Sequence, residues 1–297
     1  MTDARLRPGP HVRALRPHQW GKNLLVFLPV LGGHRFEADI LWQATLALAA
    51  FCLVASGVYV VNDILDISAD RAHPRKRTRP FAAGLIPVAR GIWMAGGLFL
   101  AGGLLALLQG PGFFGMILAY MLLTTAYSIR LKKYAVIDIV VLAGLYTIRI
   151  VAGGVATDIP PSTWLLAFSL FFFLALAAVK RQAELVDITG RGVKNTAGRG
   201  YSDHDLPVIS MISIAAGYVS VLVLALYIES AAVSGLYGRP ELLWGGCAVL
   251  LYWITRTVLI THRGLMHDDP IVFAARDGAS RICGLLIAAC VLAAAHV

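Results

Sequence analysis

Charge is what this sequence has least of. Only 14% of its 297 residues are Asp, Glu, Lys or Arg, whereas a soluble domain carries about 25%. With 58% hydrophobic residues and a mean hydropathy of +0.72, the shortage excludes a water-soluble globule and marks an integral membrane protein. Cysteine is also scarce. Cys52, Cys247, Cys283 and Cys290 all lie in apolar stretches without a CxxC pair or accompanying His spacing. That excludes a zinc site or disulfide framework and leaves reduced packing residues. Strict apolar–polar alternation is missing as well. Leu100 to Leu108 and Trp164 to Val179 are apolar on every side, which excludes a membrane β-barrel and makes the fold class all-α. The residues up to Trp20 are polar and basic and no small-residue cleavage site follows the first apolar run, so no cleavable signal peptide is expected.

What is present is a series of apolar runs, each near the 20 residues that cross about 30 Å of hydrocarbon as helix. Nine are expected, roughly at 20–33, 41–65, 90–108, 113–130, 136–156, 163–180, 207–229, 241–261 and 279–296. The whole chain, 1–297, reads as one membrane-embedded domain with residues 1–19 as a basic N-terminal segment. Paired glycines such as Gly96-Gly97, Gly102-Gly103 and Gly153-Gly154 are the expected points of close helix packing.

The net charge of +9 is distributed unevenly. In a nine-helix topology all the basic clusters fall on one side: Arg5 to Lys22, Arg71 to Arg79, Arg130 to Lys133, Lys180 to Arg199, and Arg256 with Arg263. The opposite connections, Gln109 to Gly112 and Ala156 to Ser162, are short and nearly uncharged. The positive-inside rule therefore puts the basic side and the N-terminus in the cytoplasm and the C-terminus outside. The basic excess is thus accounted for by the membrane, with no nucleic acid partner expected. Topology does not, however, call for the acids that share these loops.

The densest of them is Asn62-Asp63-x-x-Asp66-x-x-x-Asp70, closing the second apolar run. Spacings of three and four put these oxygens on one helical face. Carboxylates near hydrocarbon cost several kcal/mol unless compensated, and a divalent cation is the compensation that suits oxygen ligands. Magnesium is commonly held by one or two carboxylates plus substrate phosphates, so Mg2+ and a phosphorylated substrate are expected at Asn62, Asp63, Asp66 and Asp70. Calcium fits less well, because no glycine-turn loop of six or more oxygen donors is present. Arg71, Lys76 and Arg79 follow at once. They supply cations for a departing diphosphate.

An NDxxDxxxD motif ending the second helix of such a bundle resembles the UbiA superfamily of intramembrane prenyltransferases, whose motif binds magnesium and the donor diphosphate. Aromatic prenyltransferases of that superfamily carry a second aspartate-rich motif after helix 6. Here the corresponding stretch reads Lys180-Arg181-Gln182-Ala183-Glu184-Leu185-Val186-Asp187, which argues against an ordinary prenyl diphosphate donor. The runs Arg16 to Asn23, Asn62 to Pro80, Tyr127 to Lys132 and Lys180 to Leu185, and Asp268-Asp269-Pro270 with Asp277, resemble the decaprenyl-phosphate phosphoribosyltransferase branch. That resemblance implies transfer of phosphoribose from 5-phosphoribosyl-1-diphosphate to a polyprenyl phosphate in the plasma membrane, at a cytoplasmic-facing site, in the making of arabinose donors for the cell envelope.

On this reading Asp63, Asp66 and Asp70 are the catalytic carboxylates. Asn62, Arg71, Lys76, Arg79 and Lys22 bind substrate, as do Tyr127, Arg130, Lys132, Lys180, Arg181 and Asp269 by resemblance. Asp268, Asp269 and Asp277 are open between a second metal and the ribose hydroxyls. His73 and His267 are not needed as bases, because a phosphate nucleophile is already anionic. Lys180 and Arg181 are equally open to a local salt bridge with Glu184, four residues on from Lys180. Arg149, deep in the fifth run, is open between a lipid-phosphate contact and a structural partner on another helix. Self-association is compatible with this reading and not required by it. Two alternatives remain: prenyl transfer to an aromatic or other acceptor at the same magnesium site, and a transporter. Against the latter stand acids and bases gathered on one face and the lack of paired interrupted helices.

Overall fold

The computed structural model describes residues 9–72, 76–190, 199–266 and 269–295. Arg5, Arg7, His73, Pro74, Arg75, Arg191, Lys194, His267 and Asp268 lie outside them. Every element among the described residues is helical. In chain order the α-helices are α1 Pro10–Leu15, α2 Leu28–Gly32, α3 Ala38–Leu65, α4 Ile67–Ala72, α5 Val88–Leu108, α6 Pro111–Ile129, α7 Ile137–Thr157, α8 Thr163–Gly190, α9 Leu206–Ile228, α10 Ala231–Ser234, α11 Leu243–His262, α12 Pro270–Arg276 and α13 Gly278–Ala295. Eight of them, α3, α5 to α9, α11 and α13, are long and apolar enough to cross a membrane. Large apolar side chains on them point outward, Trp93 being 82% exposed, as suits lipid contact.

The first expected span takes a different form. Arg16 adopts a left-handed backbone (φ 52°), Pro17 follows, and Pro17–Phe27 winds as a 3-10 helix running directly into α2. Eleven residues is long for this winding, which usually lasts three or four. At about 2.0 Å per residue for the 3-10 turns and 1.5 Å for α2, the two pieces laid end to end reach about 30 Å. The expected span at 20–33 is thus not among the eight described helices long and apolar enough to cross a membrane, and the ninth spanning helix is not confirmed.

The chain divides into two compact units. The first comprises residues up to Val30, Arg35–Ser128 and Arg149–Ile159; the second comprises Leu31–His34, Ile129–Ile148 and everything from Pro160. Within the first, side chains three apart on the 3-10 helix eclipse, so Trp20, Asn23 and Val26 share one edge. Trp20 Nε1 donates to Ser56 Oγ (3.0 Å) and Asn23 Nδ2 to Cys52 Sγ (3.4 Å), both on α3. Ser56 Oγ in turn donates to Leu15 O (3.0 Å). The glycine-rich α5 closes on α3 at Gly102, where a Cβ would lie 2.6 Å from Val54 Cγ2 and 3.2 Å from Ala50 O.

In the second unit α8 packs on α9 and α11, and α13 on α11. A Cβ at Gly217 of α9 would meet Ile254 Cγ2 of α11 at 2.5 Å. Ile139, Ala177, Ala178, Leu185, Tyr201 and Ile209 form one of its buried apolar clusters.

Not every expected glycine contact forms. Gly96 and Gly97 have nothing near the place a Cβ would take, whereas Gly153 presses on backbone, its Cβ position lying 2.1 Å from Val26 O. Gly153→Ala is therefore expected to destabilise the protein by about 3 kcal/mol, the upper end for overpacking, because a carbonyl cannot rotate away. Gly144→Ala, with open space at its Cβ, should be neutral or stabilising by up to about 1 kcal/mol through helix propensity. Thermal unfolding of both variants in detergent checks the pair.

Candidate active site

The carboxylates sit where α3 gives way to α4. Asp66 is the C-cap of α3 (φ −95°), its N–H bonding Asn62 O at 2.9 Å, and Asp70 N–H bonds Asp66 O at 2.8 Å across the break. The helical spacing is thereby carried through, leaving Asp63 and Asp70 2% and 3% exposed and Asn62 and Asp66 half-buried.

Two arginines converge on this face. Arg79 Nη1 lies 2.7 Å from Asp70 Oδ2 and 3.3 Å from Asp63 Oδ1. Arg16 makes a close ion pair with the same Asp63 oxygen, its guanidinium 5.1 Å above the Tyr59 ring. Arg16 belongs to the Arg16 to Asn23 run, yet its partnership with a residue 47 positions on carries no local sequence signal. Nearby, Arg13 Nη2 donates to Thr78 O (2.9 Å), tying α1 to the turn before Arg79. Arg71 Nε donates to Ala82 O (3.0 Å), and Arg71 and Lys76 are exposed. Lys22 is buried on the 3-10 helix.

In the same unit Arg149 is 5% exposed. Its Nε donates to Asn23 Oδ1 (2.9 Å) and its Nη2 to Tyr120 OH (3.0 Å). Of the two roles open to it, this is the contact with other helices. Tyr127 is half-buried near the end of α6.

The remaining expected residues belong to the second unit. Arg130 Nε donates to Tyr134 OH (3.2 Å) and is exposed; Lys132 is half-buried. Lys180 pairs not with Glu184 but with Asp269 Oδ2 (3.3 Å), and Asp269 also caps α12 through Ile271 N–H (3.2 Å). Glu184 is taken instead by Arg181 in a close i,i+3 pair. Arg181 is fully buried, lies 5.5 Å over the Tyr201 ring, and places Nη2 2.7 Å from Asp138 Oδ2, a charge contact outside hydrogen-bond alignment. Arg199 completes the group, 3.2 Å from both Asp138 Oδ1 and Glu184 Oε2. Two arginines thus neutralise two acids brought from α7 and α8. Asp138, 43 positions before Arg181, was not legible as its partner.

Asp277 is likewise engaged. Arg256 holds it bidentately (2.7 and 3.1 Å), and it caps α13 by accepting from Ser280 N–H (2.8 Å) and Ser280 Oγ (2.7 Å). The guanidinium bond first, then the Ser280 bonds, pull its carboxyl down to about 2.

No group of three or more His, Cys, Asp or Glu side chains converges as a metal cage among the described residues. The set Asn62, Asp63, Asp66 and Asp70 is nonetheless oxygen-only and set on one helical face. It fits a magnesium ion that completes its shell with phosphate oxygens and water, not one enclosed by protein alone.

Apolar helices with carboxylates and arginines gathered where α3 meets α4 define a multi-pass membrane protein with a polar cluster at a helix end. The model of the UbiA prenyltransferase family matches residues 26–276, and the chain belongs to that family, whose members are transferases. It is 38% identical over 280 residues to nodulation protein NoeC of Azorhizobium caulinodans, covering 94% of this chain and 91% of that one. It is 40% identical over 192 residues to decaprenyl-phosphate phosphoribosyltransferase of Mycobacterium tuberculosis, covering 62% of this chain and 64% of that enzyme. Among solved structures, a UbiA homolog from Archaeoglobus fulgidus bound to GPP and Mg2+ superposes with a TM-score of 0.69 at 17% identity, covering 96% of this chain and all of the other. At that identity the likeness speaks for the fold.

Two outcomes follow for the second unit. Asp138→Asn leaves Arg181 buried with one acid fewer and is expected to cost about 3 to 5 kcal/mol, read as loss of thermal stability in detergent. Asp277 is more acidic folded than unfolded, so its stabilisation is complete above about pH 4 and is lost as pH falls towards 2. A drop from 3.8 to about 2 corresponds to about 2 kcal/mol. Acid titration of unfolding should lose that part of its slope in Asp277→Asn.

Proposed function

We propose that this chain transfers 5-phosphoribose from 5-phosphoribosyl-1-diphosphate to a polyprenyl phosphate, releasing diphosphate, with the reaction face in the cytoplasm and the N-terminus on that side. The observation that carries the reading is the surplus of cations around the carboxylates. Arg16 and Arg79 contact Asp63 and Asp70, and Arg71, Lys76 and Lys22 lie in the same unit. A donor with a 5-phosphate besides its diphosphate needs more positive charge than an allylic diphosphate does. The likeness to the mycobacterial phosphoribosyltransferase supports the same donor, as does the Lys180-Arg181 pair where a second acidic motif would stand.

Asn62, Asp63, Asp66 and Asp70 would hold magnesium, which supplies neutralisation of the charge that builds on the leaving diphosphate. Arg79 and Lys76, helped by Arg71, bind phosphate oxygens, and Lys22 takes the donor or the lipid phosphate. Tyr127, Arg130, Lys132, Lys180, Arg181 and Asp269 are proposed to contact substrate on resemblance alone. For Arg181 this would be through the ion network it already joins. The anomeric carbon–oxygen bond breaks with its electron pair going to diphosphate, and a lipid phosphate oxygen bonds the same carbon. That oxygen is anionic at neutral pH, so no general base is required.

The second reading, prenyl transfer from a polyprenyl diphosphate to an aromatic or other acceptor, rests on family membership. The name of the full-length relative, a nodulation protein, specifies no reaction. Membranes containing the protein, given labelled 5-phosphoribosyl diphosphate, magnesium and polyprenyl phosphate, are expected to move label into the lipid phase. Asp66→Asn should lower that rate by at least about 100-fold, the scale of losing one charge-stabilising group, with unfolding temperature unchanged within a few degrees. Label absent from lipid while a prenyl diphosphate is consumed with an aromatic acid would transfer the assignment to the second reading.

A further inference from the structure

We infer that Arg149 is a positioning residue for the carboxylate site, acting through Asn23 and the 3-10 helix. The inference rests on the reading above that Asp63, Asp66 and Asp70 receive a metal–diphosphate.

Arg149 does not touch those carboxylates. Among its contacts are Asn23 and Tyr120, with its guanidinium 4.8 Å over the Tyr120 ring and 5.9 Å from the Phe51 centroid. A charge in the middle of a membrane-spanning helix costs at least about 2.5 kcal/mol. A neutral side chain would bridge two helices at less cost, so the cation is kept for what it holds in place.

What it holds is the middle of a strained element. The Asn23 side chain is used at both ends, accepting from Arg149 and donating to Cys52 Sγ, which fixes its rotamer and the backbone that carries it. One turn nearer the chain start Trp20 bonds Ser56, and at the head of the same helix Arg16 grips Asp63. Cys52, Ser56 and Asp63 are spaced by four and seven on α3 and share one face. The 3-10 helix therefore runs along α3 in fixed register through three polar rungs, the last of them on a catalytic carboxylate. α7 holds the other side at two points four residues apart, Arg149 on Asn23 and Gly153 against Val26 O.

Register matters because of the winding. A slip of one residue in a 3-10 helix moves the side chains about 2 Å along the axis and turns them by a third of a revolution. That is enough to take Arg16 off Asp63. Hydrogen bonds within an eleven-residue 3-10 run do not enforce register well, since that winding is intrinsically poor; the rungs must. Asn23 is the rung that α7 sets, about 16 Å along α3 from Asp63.

The test uses the full-length protein in nanodiscs. Mn2+ is titrated by electron paramagnetic resonance with inorganic diphosphate present, alongside thermal unfolding. Arg149→Met and Asn23→Ala are each expected to weaken Mn2+ binding about tenfold, and the double variant by no more than either, because both remove one rung. Trp20→Phe, which breaks the next rung without touching Arg149, should weaken it by a similar factor. Arg149→Met and Asn23→Ala that bind within twofold of wild type, whatever their stability, would overturn the inference, as would strictly additive losses. If Arg149→Met does not fold, wild-type binding by Asn23→Ala and Trp20→Phe overturns it equally. Wild-type protein that binds no Mn2+ with diphosphate would remove the metal reading and this inference together, whereas tight wild-type binding matched by the variants removes the inference alone.

Discussion

The ion pairs of Asp63 and Asp70 with Arg16 and Arg79 are what the first unit is built around. Two almost wholly buried carboxylates, Asp63 in the last turn of the 28-residue α3 and Asp70 on α4, are tolerated only with cations in contact. Those cations come from opposite directions along the chain, one from before the 3-10 helix and one from after α4. Bringing them to the same face requires α1, the 3-10 helix, α3, α4 and the turn at 76–78 to close on one another. The contacts Arg13–Thr78, Arg71–Ala82 and Trp20–Ser56 are how they do so.

The second unit solves a similar electrostatic problem to a different end. Asp138, Glu184, Arg181 and Arg199 balance two negative charges with two positive, and the most buried arginine is enclosed completely. Such a group ties α7 to α8. In the first unit Arg16 and Arg79 engage Asp63 and Asp70, and the half-buried Asp66 lies on the same helical face. On the proposed function the first group is the one that would hold magnesium, whereas the second pins α7 to α8. The long 3-10 winding carries Arg16 at its head to Asp63.

Much of this was legible in the sequence because the informative spacings are local. Asn62 to Asp70 is one helical stripe wherever that helix lies, and the apolar runs name the spans whatever their packing. The shortfalls share a cause. Lys180 and Glu184 sit at a spacing that favours pairing, yet Lys180 goes to Asp269, 89 positions on, while Glu184 takes its local neighbour Arg181 and the distant Arg199. The paired glycines look alike in sequence, but only some of them meet another helix closely. Residues 20–33 read as an apolar span, and nothing in their hydropathy distinguishes a stretched 3-10 helix from an α-helix. Pro17 and Pro29 mark irregularity without saying which kind.

By itself, then, the sequence determined the membrane environment, the all-helical class, the family motif and the face that carries the acids. These follow from composition and from periods of three and four residues, which act along the chain. Only tertiary structure decided which arginines serve the carboxylates, that Arg181 is enclosed by Asp138, Glu184 and Arg199, and that Arg149 answers to Asn23. Those pairings join residues separated by up to 126 positions. They are selected by the strong penalty for leaving a buried charge unsatisfied, a penalty that exists only once the helices have packed and water has been excluded.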